Sequence, residues 1–234
     1  MKVEIWSDIA CPWCYIGRRR LEKALDQFDH RDQVEVVWRS YQLDPNAPRD
    51  FDGTVNDLLV QRYGMSRAQA EAAHERVTAL AAQEGLDYHF ESAHPVNSFD
   101  AHRLIHLAAE HDQQGAMKER LQRAYFTEGA LVSDEDTLVR LAVEVGLDAA
   151  EVRSALDGDA YAEAVEADVR RARAIGISGV PFFLFDEKYA VSGAQPSALF
   201  STALERTWAD SHPILEVVGG NDDNVTCDDE SCAV

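Results

Sequence analysis

Positive charge is scarce in this chain: 22 lysine and arginine side chains stand against 42 aspartate and glutamate, a formal balance of −20 over 234 residues. A surface of that sign repels nucleic-acid phosphates and anionic lipid, so neither nucleic acid nor membrane is an expected partner. Long apolar runs are missing too, and no window approaches the roughly 18 residues that a bilayer-spanning helix needs. The start lacks the charged head, apolar stretch and small-residue cleavage site of a secretory leader, because Met1 leads straight into Lys2-Val3-Glu4-Ile5-Trp6. A cytoplasmic location is therefore expected. Cysteine is sparse: four residues, in a compartment that keeps thiols reduced, do not make a disulfide-stapled miniprotein. Internal repeats and low-complexity tracts are absent. What remains, 46% hydrophobic and 27% charged residues, is the composition of an ordinary packed globule.

The pattern of that globule changes along the chain. Lys2 to Trp6 alternates polar and apolar, Val34 to Trp38 is β-rich, and a helical stretch from about Pro12 to Phe28 lies between them. Leu21, Leu25 and Phe28 supply its apolar side, and Arg18, Arg19, Arg20, Glu22 and Lys23 read as a solvated surface. From about Thr54 to Asp159 the β signal vanishes and five or six short helices are expected. Ser66 suits an N-cap, and Ser133 with Asp136 resembles a capping box. After a helix near Tyr161 to Ile175 the β pattern returns in Phe182 to Phe185 and Tyr189 to Val191, joined as a hairpin. Pro196 then opens a last helix, with Leu199, Ala203, Leu204 and Trp208 on one side. Gly219 to Asp223 has a linker's composition and leads to an acidic tail.

Two of the four cysteines carry the main functional signal. Cys11-Pro12-Trp13-Cys14 follows the first strand and opens the first helix, where free N–H groups and the helix dipole favour a thiolate. That placement predicts Cys11 as an exposed nucleophile with a lowered pKa, near the roughly 7 of thioredoxin, and Cys14 as the resolving thiol one turn inward. C-x2-C is also zinc-ligand spacing, with Cys227 and Cys232 available as the other half, but a strand leading in and a helix leading out are unlike a zinc knuckle. Far along the chain, Gly179-Val180-Pro181 precedes a strand. Proline is tolerated at a strand's first position, and X-Pro is the one bond at which the cis form is inexpensive. A cis Val180-Pro181 bond facing Cys11 is expected to present the Val180 backbone to a substrate chain.

The strand, C-P-W-C and helix, the distant Gly179-Val180-Pro181 and the helical segment between them resemble the DsbA branch of the thioredoxin superfamily. Asp8 and the segment Asn97-Ser98-Phe99-Asp100-Ala101-His102-Arg103 resemble, within it, the cytoplasmic FrnE-like oxidoreductases, and Cys227 with Cys232 is similar to the second C-x4-C pair found in that group. The resemblance covers about residues 1 to 210. It implies an α/β thioredoxin fold with an α-helical insertion: a first half over 1–50, the insertion over 51–159, a second half over 160–212, and a flexible acidic tail over 213–234. It implies thiol–disulfide oxidoreductase or isomerase activity on protein substrates, with no cofactor, and with thioredoxin or glutathione systems as partners. Cys11, Cys14 and Pro181 are then the catalytic set, Trp13, Val180, His102 and Asn97 the substrate contacts, and Cys227 and Cys232 an accessory redox pair. The loop dipeptide Pro-Trp lacks the histidine of periplasmic DsbA, so strong oxidant behaviour is not implied. The alternative is a glutathione-dependent isomerase or transferase of the 2-hydroxychromene-2-carboxylate isomerase or kappa type, relatives that typically have serine at the position of Cys11.

His102, His106 and Glu110 share one helical face and have the spacing of metal ligands. With eight histidines in the chain such a coincidence is unremarkable, and no metal is expected. Asn97 is as well suited to capping a helix as to touching a substrate.

Overall fold

The structure, a computed structural model, describes residues 1–47 and 53–213. The tail thiols Cys227 and Cys232 and the linker before them lie outside the described residues.

Four strands form one mixed sheet. β1 (Lys2–Ser7) is central, parallel to β2 (Glu35–Ser40) on one side and antiparallel to β3 (Phe182–Phe185) on the other, and β4 (Tyr189–Ser192) closes the edge beside β3. The period-2 alternation of β1 decides its two faces. Val3 and Ile5 point into the main core, and Glu4 and Trp6 point the other way. The same alternation sends Phe183 and Phe185 of β3 to the main core, while Phe182 and Leu184 pack on the opposite cluster around Trp6. There Glu4, 1% exposed, accepts from Arg39 and Arg171, which offsets the cost of burying a carboxylate.

Between β1 and β2 runs α1 (Pro12–Leu25), and it packs with α9 (Ser197–Ser211) over one face of the sheet. Phe183 and Phe200 meet there edge to face, with ring centroids 4.6 Å apart. The side that α9 buries is Phe200, Leu204 and Thr207; Leu199, expected on the inner side, is 45% exposed. Among the described residues six helices stand between β2 and the closing half: α2 (Val55–Tyr63), α3 (Arg67–Gln83), α4 (Phe99–Ala109), α5 (Gln114–Phe126), α6 (Glu135–Glu144) and α7 (Ala149–Asp157). The chain then returns through α8 (Ala162–Ala174), which packs on β2.

Local chemistry sets the boundaries. Ser66 and Gln69 satisfy each other's backbone N–H groups at the start of α3, a capping box. At α6 the cap is one residue later than the sequence pattern suggests: the Asp134 carboxylate, not Ser133, accepts from Thr137 N at 2.8 Å. A charged acceptor is the better match to the positive end of the helix. Arg18 corrects the expectation of a solvated basic face, being 9% exposed with its guanidinium 5.1 Å from the Trp38 ring centre and its Nε 2.7 Å from Glu22.

Candidate functional site

The polypeptide leaves β1 at Ser7 and passes through Asp8, Ile9 and Ala10 to Cys11, the N-cap of α1. Cys11 is extended, with φ −92° and ψ 112°, and Pro12 sits at the first helical position, where a missing N–H costs nothing. The Cys14 N–H donates to the Cys11 carbonyl at 3.0 Å, which closes the first turn and puts the two thiols on one side of it. Both are free cysteines, 3% and 1% exposed. The expectation of an exposed Cys11 is therefore corrected: the thiol lies at the bottom of a cleft.

The Val180-Pro181 peptide bond is cis. Cys11 Sγ donates to the Val180 carbonyl at 3.6 Å, so the loop before β3 and the start of α1 face each other. The close approach of these two elements is made possible by Gly17, one turn along α1. A Cβ there would sit 3.0 Å from Pro181 Cγ and 3.2 Å from Phe183 Cζ. Trp13, 38% exposed, stands at the rim.

The cleft measures about 500 Å³ and is walled by Cys11, Pro12, Trp13, Val180 and, from the loop after β2, Leu43 on the sheet side, and by Leu59, Met65 and Tyr125 from the insertion. Apart from the sulfur it is largely apolar. Asn97 and His102, expected as substrate contacts, are not among the side chains lining it. The Asn97 amide is consumed locally: its Oδ1 accepts from Phe99 N and Gln42 Nε2, and its Nδ2 donates to Ala47 O at 2.9 Å. His102 is 1% exposed, with Nε2 3.1 Å from the Tyr41 carbonyl and 3.4 Å from Asp8 Oδ1. A carbonyl only accepts, so Nε2 carries the proton and Tyr41 assigns the tautomer. Both residues hold the loop after β2 against Asp8 and α4 rather than reaching a ligand. His106 turns away to Ser40 and Asp168, so the expected face of His102, His106 and Glu110 does not converge on one point. Among the described residues no group of three or more His, Cys, Asp or Glu side chains is placed to hold a metal.

Charge around the thiols is tightly arranged. Burial raises the Asp8 carboxyl, yet hydrogen bonds from His102, Leu43 N and Ser98 hold it below its usual value. It accepts from Ile9 N and Leu43 N, each at 2.7 Å. Burial lowers His102 and keeps its imidazole neutral against the pull of Asp8. Cys11 is pushed up, first by its hydrogen bond with Cys14 and then by burial, which reverses the lowered pKa expected from the helix N-terminus alone. Lys118 of α5, which sequence reading passed over, is 1% exposed, and Cys14 and Cys11 are among the groups whose charges act on it. Its signal was present: Lys118, Leu121 and Tyr125 fall at i, i+3 and i+7 on the buried stripe of α5.

A family model described as a DSBA-like thioredoxin domain matches residues 2–205. The crystal structure of a probable DsbA oxidoreductase from Streptomyces coelicolor is 46% identical, spans 100% of this chain and 99% of that one, and superposes with a TM-score of 0.86. An uncharacterized protein of Bacillus subtilis (strain 168), YwbO, is 29% identical over 205 residues, covering 86% of this chain and 94% of that protein. The structure of a 2-hydroxychromene-2-carboxylate isomerase, 16% identical over 90% of this chain and 98% of its own, has a TM-score of 0.70 and is similar in fold.

Proposed function

Because the chain belongs to the DSBA-like thioredoxin domain family, we propose that Cys11 and Cys14 form the dithiol–disulfide centre of an oxidoreductase or isomerase acting on protein disulfides. The observation that carries this reading is the pairing of the two thiols in the first turn of α1 with the Val180 carbonyl, 3.6 Å from Cys11 Sγ. In the reducing direction the Cys11 thiolate attacks one sulfur of a substrate disulfide. The substrate S–S bond breaks, one substrate sulfur leaves as a thiolate and takes a proton from solvent, and a mixed disulfide forms on Cys11. The Cys14 thiolate then attacks Cys11 Sγ, which releases the second substrate thiol and leaves the Cys11–Cys14 disulfide. Oxidation of a substrate runs the same bonds in reverse. Trp13 at the rim and Val180 beside the sulfur receive the substrate chain, and Pro181 fixes the loop that presents Val180.

The finer reading is a cytoplasmic, FrnE-like enzyme supplied with electrons by a thioredoxin or glutathione system. Cys227 and Cys232 serve it as an accessory pair, slower as a nucleophile because Asp228, Asp229 and Glu230 between them disfavour a thiolate. Peptide mapping of the oxidised, alkylated protein is expected to find these two joined to each other; recovering them free while Cys11–Cys14 is oxidised rejects the accessory role.

One observation favours a second reading, a glutathione-dependent isomerase or transferase: an apolar cleft of about 500 Å³ is of a size for a small molecule. Replacing Cys14 alone separates the two. Loss of insulin reduction and of scrambled-ribonuclease refolding in Cys14→Ser supports the dithiol centre, and activity that survives the change on a small thiol-dependent substrate supports the alternative.

A further inference from the structure

Lys118 is the most buried lysine or arginine among the described residues, at 1% exposure. Taking an ammonium out of water costs several kcal/mol unless a counter-charge meets it. Its Nζ donates to the Ser7 carbonyl at 3.0 Å and lies 5.9 Å from the Trp38 ring centre, and neither is an anion. The carboxylates nearby are committed elsewhere. Glu119, next in sequence, is turned to Arg18 and Arg19. Asp8 is held by Ile9 N, Leu43 N and His102. Among the described residues no salt bridge holds Lys118; the cation is hydrogen-bonded to the last residue of β1, four residues before Cys11, and the charges of Cys14, Asp8 and Cys11 act on it.

We propose that Lys118 is a positioning residue of the dithiol centre, its ammonium serving as the counter-charge for the Cys14 thiolate while that thiolate attacks the mixed disulfide on Cys11. The idea rests on the dithiol reading given above and assigns to it a group from the helical insertion. Nothing enters or leaves the balance of the step: the Cys14 proton goes to solvent, the Cys14–Cys11 S–S bond forms as the Cys11–substrate S–S bond breaks, and the substrate thiolate departs. Below about pH 8 Lys118 keeps its proton through the step. Burial brings its amine down to about 8, with the charges of Cys14, Asp8 and Cys11, in that order, working against the loss. The charged and titratable groups facing it are Asp8 at the end of β1, Cys11, Cys14 and Arg18 on α1, and His102 on α4. Arg18 opposes the ammonium and the neutral imidazole adds little, so the thiol pair is the site where an anion gains from it.

The test reads the step directly, using the aromatic disulfide 5,5′-dithiobis(2-nitrobenzoate) as probe. In the full chain with Cys227 and Cys232 both changed to serine, stopped-flow mixing with excess probe gives a concentration-dependent phase as Cys11 takes up one thionitrobenzoate. A concentration-independent phase follows as Cys14 displaces it. The pH midpoint of the second phase is compared between this protein and its Lys118→Met and Lys118→Arg variants. In Lys118→Met the midpoint is expected to rise by at least about one pH unit, which slows the phase about tenfold at pH 7. The arginine variant, which keeps the charge, is expected within half that shift. Coincident profiles for the methionine variant and the reference overturn the proposal, and so does an equal shift in both variants, which would make the role one of shape. Absence of any concentration-independent phase in the reference protein is a different result: it removes the dithiol centre itself.

Discussion

At the scale of single residues, the sequence disclosed what depends on neighbours in the chain and hid what depends on packing. Cys11 at a helix N-cap and Cys14 one turn on follow from local spacing, the cis bond before Pro181 from its strand-start position taken with the C-x-x-C and the element order, and the structure has all three features. The charge state of Cys11 did not follow, because its hydrogen bond with Cys14 and its burial come from the folded molecule. Thiolate absorbance of the reduced protein is therefore expected to rise in two steps that belong to the pair. The later step lies above the ordinary thiol range; loss of both protons below pH 8.5 would contradict the burial argument. Lys118 gives a second expectation, for stability. Its amine falls from 10.5 to about 8 on folding, so below pH 8 the folded protein carries the full cost, on the order of 3 kcal/mol. Between pH 8 and 10.5 the unfolded chain binds more protons than the folded one, and stability rises with pH by that cost. Thermal unfolding should show Lys118→Met more stable than the native sequence at pH 7, with the gap shrinking above pH 8. A gap that is constant with pH would show that the buried amine is not charged.

Among elements, helix positions were legible and helix faces less so. The period-3.6 signal located α9 but did not rank Leu199 against Phe200; the inner place goes to the aromatic that meets Phe183. Likewise the basic run on α1 reads as solvent-facing until Trp38 and α5 are in place to receive Arg18. Nothing in the sequence indicated that Gly17 is where α1 and the Pro181 loop touch. Alanine in a helix is ordinarily about 1 kcal/mol better than glycine. At Gly17 the new methyl would press on two rings, at 3.0 Å and 3.2 Å, and neither ring is a flexible side chain that can swing aside. Overpacking of this kind costs about 1 to 3 kcal/mol, so Gly17→Ala is expected to lower the unfolding temperature. It should also slow insulin reduction by lifting Pro181 and Val180 away from Cys11. An unchanged or raised unfolding temperature would mean that the loop yields freely and does not clamp the site.

For the whole molecule, net charge sets an expectation about partners rather than about shape. A formal charge of −20 implies no retention of a DNA duplex in a metal-free gel-shift assay even at low salt, where repulsion is least screened, and a tight complex would refute that. The order β-α-β, helices, α-β-β-α could be read directly, because periodicity changes at each junction. Which insertion helices roof the sulfur could not, since α2 and α5 reach the cleft through contacts far apart in sequence. The same interruption has a consequence for synthesis. β1 is complete with its thiols close behind it, yet the register that sets Val3 beside Phe185 waits for nearly the whole chain. At about 5 to 20 residues per second, translation leaves Cys11 and Cys14 without the Val180 carbonyl and the far wall for roughly 8 to 33 s. The ribosome's pace, rather than the finished site, then sets how long newborn sulfurs stand open to oxidants.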